Sequence, residues 1–332
     1  MSGLADTSGT RSSWLTSAAW RRTLRDQPLV PLIGLLAVLV ALIFVIKPEV
    51  ISPGWVGTTL RAAIPLAILA ACQTLTFLTG GIDLSVGAVA SMSGFVVATL
   101  VGPQGLVVAL VAALLIAALA GFLTGVGVGV FKVHPLIMTL GMSLVVLGLA
   151  NVWQLIMVQT GAGVPAVLRT LGSGTTATIL PNSLLVFVPL AVLVLLVLHR
   201  TGYGRLLYAI GDNPVAARLS GARSWQVLIV LYMASAMLAA LAGFLYSGLS
   251  NVASVTLVDS AVLPSVAAAV IGGTSIMGGR GGYGGTIVGA LILTVLTSLL
   301  SILGLPEAVR QILFGSIIVA VAAAYTRVTA ES

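Results

Sequence analysis

The sequence predicts an all-α, polytopic membrane protein of about ten transmembrane helices, and three observations carry that expectation. Of 332 residues, 59% are hydrophobic and only 7% charged, where a soluble domain carries about a quarter charged residues. Long apolar runs recur along nearly the whole chain, and about 20 apolar residues cross the hydrocarbon as a helix. The alternating in/out pattern of a membrane β-barrel is missing, so the spans are helical and satisfy their own backbone hydrogen bonds.

Taken in order, the apolar runs place spans near 29–46, 60–79, 86–101, 106–131, 136–157, 183–199, 226–249, 262–277, 285–304 and 309–326. They divide the chain into a tail over 1–28, a transmembrane domain over 29–326 and a tail over 327–332. The stretch to Gln27 is polar and holds Arg11, Arg21, Arg22 and Arg25. No small-residue cleavage site follows the first apolar run, which reads as a retained span and not as a signal peptide. With both termini in the cytoplasm, the inside also receives Lys132, Arg200, Arg205, Arg218, Arg223, Arg280 and Arg327, and the outside only Lys47, Arg61, Arg169 and Arg310. That bias satisfies the positive-inside rule. The net charge of +7 is scattered over span ends and forms no patch, so the lipid bilayer accounts for it and nucleic acid is not a partner. Cys72 is the single cysteine and has no internal disulfide partner.

Two connections are long. The outer one, 158–182, is rich in Gly, Ser and Thr, as a connection with a short interfacial helix would be. The inner one, 200–224, reads R-T-G-Y-G-R-L-L-Y-A-I-G-D-N-P-V-A-A-R-L-S-G-A-R-S. Asp212 and Asn213 are good N-caps, Pro214 suits the first helical position, Ala216 and Ala217 favour helix, and Gly221 suits the stop. The spacing predicts a short capped helix from Pro214 through Arg218 and Leu219 to Ser220, joining the sixth span to the seventh. Its expected role is to dock a partner.

Between Thr79 and Gly87 the chain reads T-G-G-I-D-L-S-V-G. A carboxylate beside the bilayer core costs several kcal/mol unless it is paired, capped or wet. Gly80 and Gly81 supply a break that a continuous helix resists. Asp83 is expected to cap the span beginning near Leu84, with Ser85 beside it; a gate at the inner mouth or a contact to a partner is the compatible alternative. In the fifth span, Thr139, Ser143, Asn151 and Gln154 fall within an arc of roughly 120° at about 100° per residue, with Gly141 and Gly148 opposite. Such a face suits a hydroxylated solute. The ninth span repeats the idea with Thr294, Thr297, Ser298 and Ser301, although Ser and Thr also bond back to their own helix or join helices. Gly121, Gly125 and Gly129 are spaced for close helix packing. His134, before Pro135, reads as an interfacial group, and Trp14, Trp20, Trp55, Trp153 and Trp225 as anchors.

No phosphate loop exists: the lysines are Lys47 and Lys132, neither in a G-x-x-x-x-G-K setting, so the chain is expected not to hydrolyse ATP by itself and not to be an enzyme. Gly279, Gly281 and Gly284 match G-x-G-x-x-G, but they lie between two spans without a preceding strand and read as a tight turn rather than a dinucleotide site. No cofactor or metal is expected.

The segments Thr79–Gly87, Gly211–Gly221 (G-D-N-P-V-A-A-R-L-S-G) and Ile271–Gly281 (I-G-G-T-S-I-M-G-G-R-G) resemble, in order and spacing, those of the membrane permeases of ribose- and xylose-type ABC importers, over about Pro28 to Tyr325. The resemblance implies a paired permease, formed with a second copy or a homologue, an ABC ATPase subunit docked on the cytoplasmic face, and a periplasmic binding protein that delivers a sugar. It places the chain in the bacterial inner membrane. The chain departs from the family at Asp212 (commonly Asn), Ala222 (commonly Ile) and Val262-Leu263-Pro264 (commonly an E-L-D-type segment), which leaves the sugar open but not the transport class. A branched-chain amino acid or autoinducer-like solute stays open as cargo. A proton-coupled carrier is disfavoured because Asp83, Asp259 and Glu307 lie at span ends or breaks, while a passive channel is not. An intramembrane enzyme finds no H-E-x-x-H and no paired intramembrane Asp.

Overall fold

The structure is a computed structural model that describes residues 29–157, 163–176, 179–316 and 319. The tail over 1–28 with Trp14, Trp20 and its arginines, and Arg327, lie outside the described residues. α1 (Leu29–Ile46) is followed by a 3-10 turn (Pro48–Val50), α2 (Pro53–Phe77), α3 (Val86–Gln104), α4 (Leu106–Gly129) and α5 (Pro135–Met157). Then come α6 (Ala166–Gly172), a two-residue hairpin of β1 (Thr175–Thr176) and β2 (Leu180–Pro181), α7 (Leu184–Arg200), α8 (Gly202–Asp212) and α9 (Pro214–Leu219). α10 (Ser224–Ser250), a second 3-10 turn (Asp259–Ala261), α11 (Val262–Ile271) and α12 (Tyr283–Ile302) complete the named elements.

Seven of these helices are long and apolar enough to cross a membrane, namely α1 to α5, α10 and α12. The pair α7 and α8, bent by 67° at its break, makes an eighth if taken as one broken span. α2 starts earlier than the expected 60 because Ser52 Oγ accepts from Trp55 N at 3.2 Å and Pro53 occupies the first position, a start signal that outranks the polar composition of the first turn. The expected outer connection does carry a short helix, α6, which packs on the end of α10.

The span expected over 262–277 differs. Its helix stops at Ile271, where Gly272 and then Gly273 (φ +87) turn the chain, and ten residues rise only about 15 Å, half the hydrocarbon thickness. The preceding segment is irregular. Asn251 ends α10 in the left-handed region, and Val258, fully buried, donates its N–H to Ser91 Oγ at 2.9 Å. Irregular backbone is tolerated at such depth only where protein surrounds it, and α3 packs against this segment. For the expected last span, 309–326, helical backbone runs over 307–316, and most of the rest lies outside the described residues.

Burial sorts the helices. The apolar windows of α2 and α3 are 83% and 78% buried, whereas those of α1, α4 and α5 are 17%, 28% and 22% buried. α2 and α3 therefore form the centre, and the other three form a perimeter with outward apolar side chains such as Leu115, Leu144 and Leu155. α10 packs on α2, α3 and α4, while α12 packs on α1, α2 and α11, so α2 separates two lobes. The three glycines of α4 all face α10. A Cβ on Gly125 would lie 2.5 Å from Ile229 Cα, and one on Gly129 2.9 Å from the Trp225 carbonyl oxygen. Gly125→Ala is therefore expected to destabilise the purified protein by about 1–3 kcal/mol, read as a lower thermal midpoint in detergent. Gly141→Ala, with open space around the new methyl, should leave the midpoint unchanged or raise it.

Candidate functional site

The break after α2 is built from hydrogen bonds that replace the helix ladder. Gly80 (φ +75) and Gly81 bond back to the Phe77 and Thr76 carbonyls at 2.8 and 3.0 Å, and a Cβ on Gly81 would stand 2.8 Å from the Tyr232 hydroxyl. Asp83 is 2% exposed. Its Oδ1 accepts from Ser85 N at 3.0 Å and Ser85 Oγ at 2.6 Å, and its Oδ2 accepts from Ser235 Oγ of α10 at 2.8 Å. Gln73 Nε2 donates to the Asp83 carbonyl at 2.8 Å, and Thr139 Oγ1 of α5 donates to the Ile82 carbonyl at 3.1 Å. The break is thereby fastened to α2, α5 and α10.

This corrects the expected cap. α3 begins at Val86, not near Leu84, and Ser85 holds the cap position without a side-chain cap bond. Asp83 takes one amide of the turn and spends its other oxygen on α10, because a buried carboxylate needs donors on both oxygens. The same burial encloses its side chain within the bundle.

Three segments far apart in sequence meet beside this break. Gly279 N donates to the Leu78 carbonyl at 3.1 Å, and Gly80 approaches the Met277 carbonyl closely enough that a Cβ would lie 3.5 Å from it. A Cβ on Gly211 would sit against the Leu78 carbonyl and 2.5 Å from Gly279 N, and one on Gly278 2.7 Å from the Gly211 carbonyl oxygen. Tyr208 Oη donates to the Gly281 carbonyl at 2.9 Å. The turn reading of the G-x-G-x-x-G match holds: Gly278, Gly279 and Gly281 have positive φ, and Ser275 N donates to the Arg280 carbonyl at 3.0 Å.

α9 leaves this junction directly. Asn213 Oδ1 accepts from Val215 N and Ala216 N, both at 3.0 Å, with Pro214 at the first position. Asp212, expected to share the capping, is instead the last residue of α8, since one cap position admits one residue. Gly221 has φ +87, the left-handed stop expected of it. Ala217 is buried and anchors the helix, whereas Val215 and Leu219 are 55% and 85% exposed. Arg218 Nε and Ser220 Oγ bond back to the Pro214 and Ala216 carbonyls. A concavity of about 660 Å³ lies between α8, α9 and the start of α10, lined among others by Leu206, Ala209, Asn213, Ser220 and Gln226. Sequence reasoning missed α8 itself. Its signal was present in Thr201, which accepts from Gly204 N at 3.2 Å, and in the buried Gly204, Leu207 and Ile210 at three-residue spacing.

The polar stripes divide. Thr139 is fully buried and its hydroxyl is bonded to the Ile82 carbonyl of the break. Ser143 is half-buried, and Asn151 and Gln154 are exposed beside Val152, Leu155 and Ile156. Asn151 Nδ2 donates to the Leu147 carbonyl at 2.9 Å. On α12, Thr294, Thr297 and Ser301 each donate at 2.8 Å to the carbonyl four residues earlier, and Ser298 Oγ accepts from Trp55 Nε1 of α2 at 2.9 Å. The first three bonds stay within α12, and the fourth joins α12 to α2. Asp259, which the sequence marks only as an acid at a span end, is exposed in the turn that opens the half-span α11 and lies beside Gly87. Among the described residues no group of three or more metal-ligating side chains is found.

The multi-pass bundle thus brings its central break, glycine turn and capped helix α9 to one junction. The family described as branched-chain amino acid transport system / permease component matches residues 55–322, and the chain belongs to it. The chain is 34% identical over 297 residues to the fructose import permease protein FrcC of Rhizobium meliloti, covering 87% of this chain and 82% of that protein. It is 36% identical over 286 residues to the ribose import permease protein RbsC of Escherichia coli K12, covering 83% and 87%, and 33% identical over 293 residues to RbsC of Bacillus subtilis 168, covering 88% and 90%. No solved structure matches.

Ser235→Ala removes one donor from the buried Asp83 carboxylate. It is expected to cost about 1–3 kcal/mol, measured as a fall in thermal midpoint, whereas Ser93→Ala, whose hydroxyl bonds only its own helix, should change little.

Proposed function

We propose that this chain is the permease subunit of an ATP-driven importer and forms the path for a monosaccharide delivered by a periplasmic binding protein. The relatives named as fructose and ribose import permeases support the cargo class. In this reading an ABC ATPase docks on α9, a second permease copy or homologue completes the path, and the end of the bundle carrying α8 and α9 lies in the cytoplasm with both termini, as the distribution of Lys and Arg favours.

The observation that carries the reading is the junction itself. α9 presents Val215 and Leu219 outward, while Gly211, two residues before its cap, is wedged between Leu78 and Gly279. A push on α9 is passed through backbone, without an intervening flexible side chain, to the break that Gln73, Thr139 and Ser235 fasten to α2, α5 and α10. Such a contact suits an ATPase whose closure must move helices. The exposed Asn151 and Gln154 and the half-buried Ser143 on α5, with the half-buried Thr294 and Ser298 on α12, remain the proposed solute-facing groups.

Reconstituted in liposomes, the chain is expected to accumulate labelled pentose or hexose only with its ATPase present; accumulation by the chain alone would overturn the reading in favour of a self-contained carrier. Ala217→Glu, which buries a charge under α9, and Gly221→Val, which strains a φ of +87, should leave membrane insertion intact yet lower ATPase co-purification or uptake per ATP at least tenfold. Asn151→Leu with Gln154→Leu is expected to slow uptake while basal ATPase activity persists, and an unchanged rate would assign those side chains to the lipid-facing surface.

A further inference from the structure

A second cavity, of about 570 Å³, lies on the other side of α9, between the end of α4, the start of α5 and the start of α10. Lys132, Arg218 and Arg223 line it, and none of its fourteen lining residues is acidic. The ion pair found among the described residues, Arg310 with Glu307, involves none of the three. Arg218 bonds the Pro214 carbonyl through Nε, which leaves the two terminal nitrogens of its guanidinium for another acceptor. Lys132 is held at φ +56, a conformation that a non-glycine residue adopts at a cost.

Two further wall residues lack what the cations also lack. Ser224 Oγ and the hydroxyl of Tyr232, a side chain 1% exposed, are buried with no hydrogen-bond partner. A site with three unpaired cations and two unsatisfied hydroxyls calls for an anion with several acceptor oxygens. The surroundings choose its source. Trp225, on the wall, is 46% exposed, and Phe131, next to the lining residue Lys132, and Ile137, two residues after the lining residue Pro135, are 73% and 66% exposed. Ile137 lies on the perimeter helix α5, Phe131 just beyond the end of the perimeter helix α4, and Trp225 at the start of α10. A soluble phosphate gains nothing from that apolar rim, whereas acyl chains lie along it. In the orientation proposed above, this end of the bundle meets the leaflet surface where anionic headgroups gather basic side chains.

We infer that the cavity between α4, α5, α9 and α10 binds the phosphate headgroup of an anionic glycerophospholipid through Lys132, Arg218 and Arg223. This goes beyond the permease reading: it divides α9 into two faces, Pro214 and Arg218 toward the lipid and Val215 and Leu219 toward the protein partner.

The test uses the full chain purified in detergent, titrated with phosphatidylglycerol, phosphatidylcholine, glycerol 3-phosphate or inorganic phosphate, with binding followed by native mass spectrometry and thermal midpoint. Phosphatidylglycerol is expected to bind at least tenfold more tightly than phosphatidylcholine. Lys132→Gln with Arg223→Gln should weaken it about twenty-five-fold, about fivefold per basic residue, while the charge-preserving Lys132→Arg with Arg223→Lys retains it. Arg200→Gln with Arg205→Gln, residues that do not line the cavity, should also retain it. Equal affinity for the two lipids, an equal loss in the Arg200/Arg205 pair, or stabilisation by free phosphate matching that of the lipid would each overturn the inference. So would a Lys132/Arg223 variant that keeps lipid but loses the ATPase, since the cations would then serve a protein partner.

Discussion

The Leu78 carbonyl accepts the Gly279 N–H at 3.1 Å while the α-carbon of Gly211 closes over it, and the working end of the molecule depends on that contact. Backbone can approach backbone at this distance only where no side chain intervenes, which is why glycine stands on both sides of it. Any residue with a Cβ at Gly211 would occupy the same space as the carbonyl. The contact brings the end of α2, the end of α8 and the turn before α12 into one rigid node, and α9 begins two residues beyond it.

Asp83 makes the node permanent within the bundle. A buried ionised carboxylate is costly by several kcal/mol unless its oxygens are filled, and here two serines from different elements fill them. Gln73 and Thr139 meanwhile satisfy the peptide groups that the missing helical turn leaves open. The polar atoms of the break are therefore consumed by structure. What this end offers to the outside is different in kind: exposed aliphatic side chains on one face of α9, and Arg218 on another, beside Lys132 and Arg223 in one cavity wall. A single turn and a half of helix with two such faces can hold a protein on one side and the membrane surface on the other.

The proposed solute-facing side is less concentrated. The hydroxyls of α12 are bound within their own helix or to Trp55, and the carboxamides of α5 lie on the perimeter among exposed aliphatic residues. A perimeter position in one copy becomes interior only when another copy covers it, which is consistent with a path completed by a second permease. The half-span α11, with Asp259 at its opening, adds irregular backbone inside the bundle, a feature that membrane proteins place where a cavity or a neighbouring helix can satisfy it.

The sequence by itself determined the class of fold, the positions of most spans, the capped helix over Pro214–Leu219 and the turn character of Gly278–Gly281, because hydropathy and capping act within a few residues of the chain. It also marked Gly121, Gly125 and Gly129 as packing residues, since small side chains at four-residue spacing have one common use in a bilayer. Only the tertiary structure decided what Asp83 and Thr139 bind, for their partners Ser235 and Ile82 lie on other elements, and no local pattern names a partner across the bundle. It likewise decided that Arg218 turns from Leu219 toward Lys132 and Arg223, and that 262–277 is half a span, because the early stop at Gly272 depends on its contact with Thr286 and not on the apolar composition that continues past it. Local rules set where helices begin and end; burial of polar groups, which must find donors wherever the fold supplies them, set what they do to one another.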